Sequence, residues 1–304
     1  MSLDPAYLQY ARRRYGMDHD LYPWSNLFER AAPDLCGRRV GVVIVVNVEW
    51  FPITPADKPF RAPGHMQTTY PDYRHYTSRE YGTRVGLYRF LDAFAARGIR
   101  ASFAVNAAIA ERYPALVADI VAGGHEVVAH STDMNGTIAT GVPEDEERAL
   151  IAASLDTLEK IVGKRPRGWM SIARSQSWNT PRLLAEAGLG YMCDWVNDDL
   201  PVRFATAAGS IVNVPVNHEL SDRQIITVQQ QSADSYVQQM QDATMVFERE
   251  AARFGARMLA LNVTPYIMGL PYRIAAFERL LDWLVARDEV GFLTTGEVAD
   301  ATSD

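Results

Sequence analysis

The sequence predicts an α/β protein built on a parallel sheet or barrel, and three observations carry that prediction. From residue 78 onward, short apolar runs alternate with amphipathic stretches, the pattern of successive βα units. The apolar runs end in polar or charged residues: the run from Val40 to Val46 in Asn47 and Glu49, the run from Glu126 to Ala129 in His130 and Asp133, the run from Ile211 to Val216 in Asn217, His218 and Glu219, and the run from Met258 to Leu261 in Asn262 and Thr264. If these strands lie parallel, the polar groups converge on one mouth, where barrel enzymes keep their chemistry. Finally, 304 residues are many for an ordinary domain but normal for one α/β barrel with extensions.

In chain order, residues 1–37 are rich in Tyr, Arg, Asp and Pro without periodicity and read as an arm preceding a domain over 38–304. Residues 52–77 are punctuated by Pro52, Pro55, Pro59, Pro63, Gly64 and Pro71, which argues against regular structure there. A loop of that length is usually a lid or substrate loop, and this one directly follows Glu49. Ser78 is placed to cap a helix whose Val85, Tyr88, Leu91 and Phe94 share a face, with Gly98 as its stop. A strand from Ala101 to Val105 and a helix over about 107–121, stopped by Gly123 and Gly124, come next. Pro143 followed by Glu144, Asp145, Glu146 and Glu147 gives the acid-rich first turn that a helix dipole favours. Ile151, Leu155, Leu158 and Val162 form the buried stripe of that helix. Short strands are expected at 168–170 and 191–193, and further helices over about 180–187, 232–254 and 272–286.

Composition narrows the function classes. Hydrophobic residues make up 48% and charged residues 22%, a globular balance with ample material for a core. A formal charge of -7, with Arg12-Arg13-Arg14 as the single basic run, argues against general affinity for nucleic acid. No apolar run approaches the roughly 20 residues of a membrane span, and the first residues lack the basic-then-apolar pattern of a secretory signal. Cys36 and Cys193 are far apart and in no metal-type spacing, as in a reduced compartment. A cytoplasmic homo-oligomer acting on a small molecule, without membrane or nucleic-acid partners, is the expectation.

Several strand-end motifs stand out: Asn47-Val48-Glu49, His130-Ser131, Gly168-Trp169-Met170-Ser171-Ile172-Ala173-Arg174-Ser175, Asp194 with Asn197-Asp198-Asp199-Leu200-Pro201, and Gly269-Leu270-Pro271-Tyr272-Arg273. As a set, over about residues 38–298, they resemble the polysaccharide deacetylase superfamily. Tyr81-Gly82-Thr83-Arg84-Val85-Gly86, Gly168-Trp169 and Asp198-Asp199-Leu200-Pro201 look more like the branch holding metal-independent allantoinases and cyclic imide hydrolases. The resemblance implies a distorted, TIM-like (β/α)7 barrel of NodB type and a hydrolase acting on carbon-nitrogen bonds. It also exposes departures. Where metal-dependent members carry two acids, two histidines and a late histidine, this chain has Asn47 and Glu49, His130 with Met134, and Thr264. A stable divalent site needs three or four ligands. Glu49 and His130 supply two, so no metal is expected, with zinc or another divalent ion on those two residues as the fallback.

His130 is the leading candidate acid or base, since an imidazole titrates near neutral pH. Glu49 and Asp133 could orient it, or Glu49 could itself activate water. Arg174 is suited to gripping a carbonyl or carboxylate, with an ion pair to Asp194 or Asp198 as its structural alternative. Asn47, Trp50, Ser175, Asp194, His218, Glu219 and Thr264 complete the expected substrate-binding set. Two alternatives to an imidase-like or allantoinase-like hydrolase stay open: a divalent-metal N-acyl deacetylase, and a non-catalytic binding member of the superfamily.

Overall fold

The computed structural model describes residues 13–30, 32–35, 37–54, 69 and 71–302. Its first strand, β1 (Val40–Val48), is buried at every position, as a parallel strand covered on both faces must be. One edge of β1 pairs with β8 (Arg257–Val263); the other pairs with β9 (Val290–Leu293) near the start and β2 (Ser102–Val105) near the end. The sheet then runs through β3 (Glu126–Ala129), β4 (Gly168–Trp169), β5 (Tyr191–Met192) and β7 (Gly209–Asn213), all parallel. It ends on β6 (Val202–Thr206), antiparallel to β7. Among the described residues the path holds eight strands and the whole sheet, with β9, nine, where seven were expected, and it curls into a half-barrel whose terminal strands, β6 and β8, do not pair. The β6–β7 hairpin escapes a reading tuned to βα alternation because its residues carry no helix between them.

The helices show where local chemistry overrides periodicity. Asp72, not Ser78, opens the first helix: its side chain accepts from the His75 amide at 2.9 Å, so α1 (Tyr73–Tyr81) begins inside the span expected to be irregular. Ser78 is internal to α1, its hydroxyl bonded to the His75 carbonyl. Residues 55–68 and 70, most of the expected lid, lie outside the described residues, as do Arg12 and Cys36. A π-helical segment (Gly82–Gly86) joins α1 to α2 (Leu87–Ala95). Pro114 splits the expected single helix into α3 (Ala107–Arg112) and α4 (Pro114–Ala122), since its ring is tolerated in a first turn but not in an interior. α5 (Glu144–Val162) carries the four acids in its first turn and ends on Gly163 at φ 78°. α6 (Thr180–Glu186), α7 (Ala233–Phe254), α8 (Ile274–Val285) and α9 (Thr295–Ala301) follow, the last with a Thr294/Glu297 capping box.

Phe90 and Phe94 of α2 meet Phe277 of α8 at ring distances of 5.3 and 6.2 Å, and all three are fully buried. Burying each such ring contributes roughly 1.5–3 kcal/mol. The same helix pair seats a backbone contact that reaches the site. A Cβ on Gly86 would lie 2.2 Å from the Pro265 carbonyl oxygen, and one on Gly82 would lie 2.9 Å from the Tyr266 amide. The two glycines thus let the π-helical segment lie directly on the chain at 265–266. The arm's described part packs on the other flank: Tyr22 stacks on Phe204 at 5.0 Å, the Tyr22 hydroxyl accepts from Asn197, and Arg30 pairs with Asp198. Among the described residues no helix is long and apolar enough to cross a membrane.

Candidate active site

The C-terminal ends of β1, β3, β4, β7 and β8 surround a cavity of about 210 Å³ lined by Asn47, Glu49, His130, Met170, Ser171, Ala173, Arg174, His218, Ser221, Arg223 and Asn262. His130 follows β3 directly and is 2% exposed. Its Nδ1 lies 2.6 Å from the Met170 carbonyl oxygen. A carbonyl can only accept, so Nδ1 carries the proton and Nε2 the lone pair. Among the described residues Nε2 is buried and without a partner. Burial pulls the His130 pKa below its ordinary value, against the opposing pull of Glu49 and the Met170 carbonyl, which leaves the ring neutral near pH 7.

Arg174 is brought to the cavity by strained backbone. Ala173 and Arg174 have φ of 52° and 56° in the short turn after β4, a left-handed conformation that non-glycine residues seldom adopt. Its Nε donates to the Val216 carbonyl at 2.9 Å and its Nη1 lies 3.4 Å from His218 Nδ1, while Nη2 is buried without a partner among the described residues. Burial lowers the Arg174 pKa to about 10, so the guanidinium stays charged at neutral pH. The ion pair with Asp194 considered from sequence is absent among the described residues; that carboxylate instead accepts from the Ser171 amide at 2.6 Å and the Ser171 hydroxyl at 2.8 Å. Burial raises Asp194 to about 6 against those bonds.

Glu49, 6% exposed, is engaged through both of its oxygens. Arg223 Nη2 reaches both of its oxygens, at 2.7 and 2.8 Å, and Tyr266 donates its hydroxyl to Oε2. Although burial favours the neutral acid, Arg223, His130 and the Tyr266 hydroxyl hold Glu49 below the ordinary carboxylate range. Arg223 remains charged despite its burial because Glu49 and Tyr266 stand beside it. Asn47 donates to Asn262 Oδ1 at 2.6 Å and to the Val263 carbonyl at 3.2 Å, tying the ends of β1 and β8.

Of the residues expected from sequence, Asn47, Glu49, His130, Arg174 and His218 thus share one cavity wall, and six do not reach it. Asp133 caps its own loop, accepting from the Asn135 amide at 2.7 Å. Asp194 is engaged by Ser171, and Thr264 is held by Asp222 through its amide at 2.7 Å and its hydroxyl at 3.2 Å. Burial lifts Asp222 to about 7 against those bonds. Trp50 turns away to Tyr76, Tyr113 and the Arg112 guanidinium. Glu219 is exposed, and Ser175 follows the strained turn without lining the cavity. Sequence reasoning missed Arg223, Tyr266, Ser171, Ser221 and Asn106. Asn106 ends β2 as His130 ends β3: its Oδ1 accepts from the Trp50 amide at 2.7 Å and its Nδ2 donates to the His130 carbonyl, so the strand-end rule already in use finds it. Arg223 and Tyr266 sit several residues past their strands, where no such rule points.

The donor set does not suit a resident divalent ion. Among the described residues no three His, Cys, Asp or Glu side chains gather as a cage. A cation on Glu49 would share its carboxylate with a guanidinium already at hydrogen-bond distance, where like charges repel. Met134 is packed in an apolar cluster with Phe51 and Ile172. A larger hollow of about 290 Å³ lies at the starts of β3 and β4, but Arg100, Arg165 and Arg167 on its rim are each paired with a carboxylate.

Residues 79–192 match the family model described as Polysaccharide deacetylase. That span holds His130 and Arg174 but neither Glu49 nor Arg223. A curated Schizosaccharomyces pombe protein named "Putative polysaccharide deacetylase" is 25% identical over 243 residues, covering 74% of each chain. Among solved structures, the one described as a "probable Polysaccharide deacetylase from Pseudomonas aeruginosa PAO1" has a TM-score of 0.81 at 26% identity, over 92% of this chain and 97% of that one. The crystal structure of PuuE allantoinase aligns over the same shares with a TM-score of 0.81 at 24% identity. Both share the distorted half-barrel.

Proposed function

We propose that the chain hydrolyses a non-peptide carbon-nitrogen bond in a small amide, cyclic imide or ureide, and that it does so without a resident metal; the match of residues 79–192 to the polysaccharide deacetylase family model and the likeness to the Pseudomonas aeruginosa structure support this reading. One observation carries this reading: among the described residues two buried nitrogens of opposite character, the acceptor His130 Nε2 and the donor Arg174 Nη2, have no partner, and both side chains belong to residues that line the same cavity. A pocket spends that much unsatisfied polarity where a ligand or water completes it.

The chemistry follows from the two groups. A water positioned at His130 gives its proton to Nε2 as its oxygen bonds to the carbonyl carbon. The carbonyl π pair moves onto oxygen, and that negative charge is met by Arg174. When the tetrahedral adduct collapses, the carbon-nitrogen bond breaks and the departing nitrogen takes the proton back from Nε2. The products are a carboxylic or carbamic acid and an amine or amide nitrogen, joined in one chain if the substrate was a ring. Glu49 is ion-paired to Arg223 and bonded by the Tyr266 hydroxyl, which makes it a weak base, and the base role falls to His130, whose Nε2 has no partner among the described residues. The cavity's 210 Å³ equals about seven liquid waters at ~30 Å³ each. That is below the roughly 300–1,000 Å³ of pockets for drug-sized ligands, which favours a small ring over a polysaccharide chain. The name of the PuuE allantoinase neighbour agrees with a cyclic ureide.

The test is a hydrolysis screen of hydantoin, dihydrouracil, succinimide and N-acetylglucosamine oligomers, run with and without EDTA or dipicolinate. Ring opening unaffected by chelation is expected. Acetate release from the oligomers, lost on chelation and restored by zinc or manganese, would replace this reading with a metal-dependent deacetylase.

A further inference from the structure

Charge separates the two arginines of the cavity. Arg223 is ion-paired to Glu49 at 2.7 Å and stays charged despite its burial. Arg174 has no carboxylate within ion-pair reach among the described residues. Its Nε donates to the Val216 carbonyl at 2.9 Å, its Nη1 lies 3.4 Å from His218 Nδ1, and its Nη2 has no partner there. Both acceptors are neutral, since burial, Arg174 and Arg223 all lower the His218 pKa against the pull of Glu219. Neutral acceptors satisfy the hydrogens of a guanidinium but leave its charge uncompensated. Asp194 is the carboxylate that acts most strongly on Arg174 through space, but both of its oxygens already accept from Ser171, and Glu219 is exposed. The two do not offset burial, which still lowers the Arg174 pKa to about 10. With Glu49 cancelling Arg223, and His130 and His218 neutral, the residues that line the cavity carry one net positive charge near pH 7.

We propose that the cavity is an anion site built on Arg174, and that it holds the carboxylate of the opened chain more tightly than the neutral ring from which that chain came. The identity of the oxygen that is held rests on the hydrolytic reading above. There the carbonyl oxygen carries the negative charge of the adduct and is met by Arg174. When the carbon-nitrogen bond breaks, that same oxygen and the oxygen from water become the two oxygens of a carboxylic acid. With an ordinary pKa of about 4, the acid releases the water's second proton at neutral pH. Arg174 thus meets a dipole in the substrate, a transient charge in the adduct and a lasting charge in the product. A guanidinium matches a planar carboxylate, and a full charge in a dry pocket gains more from it than a carbonyl dipole does. An interaction kept in the product slows its departure, so the opened chain is an inhibitor. A ring that already carries a carboxylate places that group on Arg174 and blocks the site.

The test is calorimetric binding to the full chain at pH 7 of succinamate, the opened form of succinimide. Succinimide itself and succinamide, which has a neutral amide in place of the carboxylate, are the references. Succinamate is expected to bind about 10–100-fold tighter than either, the range of a hydrogen bond to a charged group. Arg174→Leu should abolish the difference. Equal affinities for succinamate and succinamide in wild type overturn the proposal without any variant having to fold. A preference for succinamate that survives in Arg174→Leu places the anion elsewhere and overturns it too. The expected gap with every ring in the screen inert upholds the anion site and overturns the hydrolytic reading alone. Where a ring is opened, its own product should inhibit competitively with a Ki below the KM of the ring, and progress curves indifferent to added product count against the proposal. Dihydroorotate, a ring acid, should inhibit the opening of dihydrouracil. If it is instead opened faster than dihydrouracil, Arg174 grips a carboxylate of the substrate and the product assignment is wrong.

Discussion

At the scale of single residues, the site is a contest between burial and pairing. On the proposed mechanism His130 acts as a base in its neutral form, so the rate should rise with pH and level off above its pKa. Because burial places that pKa below 6.5, the acid limb of kcat/KM is expected to have its midpoint under 6.5. A midpoint clearly above that value would assign the limb to another group. His130→Ala should cost about 10²–10⁴ in kcat. Glu49 behaves differently. Its pKa is held below the ordinary value, so it contributes stability that is present above pH 4.5 and is lost as pH falls through the folded-state pKa. In Arg223→Ala the same carboxylate is left buried and unpaired, which costs about 3–5 kcal/mol at pH 7. Burial then raises its pKa, so acidification should relieve part of the loss. Denaturation at pH 5 and pH 7 reads this directly, and adding Glu49→Gln to Arg223→Ala should recover stability at pH 7.

At the scale of elements, packing far from the cavity fixes where its groups stand. The π-helical segment at 82–86 lies on the backbone at 265–266, and Tyr266 reaches Glu49 from that backbone. Gly86→Ala drives a methyl into the Pro265 carbonyl, a clash of backbone on backbone that side-chain motion cannot relieve. Overpacking of this kind costs about 1–3 kcal/mol, and kcat should fall as well, because Tyr266 must shift. A variant with lower Tm and unchanged kcat would show that the glycine serves stability alone. Phe277→Ala, by contrast, empties the space between Phe90 and Phe94 and should cost about 3–5 kcal/mol with little change in KM. The pattern of the sequence placed a helix over about 272–286, which is α8, whereas no pattern marked the break at Pro114 as two helices or Asp72 as the true cap. Both turn on one side chain's local bonding, which averages out of a hydrophobic pattern.

At the scale of the whole molecule, the sequence by itself determined the class of the fold and the mouth of the site. Strands that are apolar along their length must be covered on both faces, and parallel strands then carry their terminal polar residues to one end. That logic brought Asn47, Glu49, His130, Arg174 and His218 to one cavity before any coordinate was known. The tertiary structure alone decided what each group can do. Among the described residues the strand count rose to nine and the sheet stayed open, because the β6–β7 hairpin has no helix between its strands and β9 finds its partner, β1, at the other end of the chain. Glu49, a candidate base from sequence, is held in a buried ion pair because Arg223, 174 positions away, lands on it. Asp133, Asp194 and Thr264 were taken up by neighbours that sequence spacing does not reveal. A side chain's role depends on which of its atoms remain unsatisfied, and that is settled by hydrogen bonds across the fold, not by residue type along the chain.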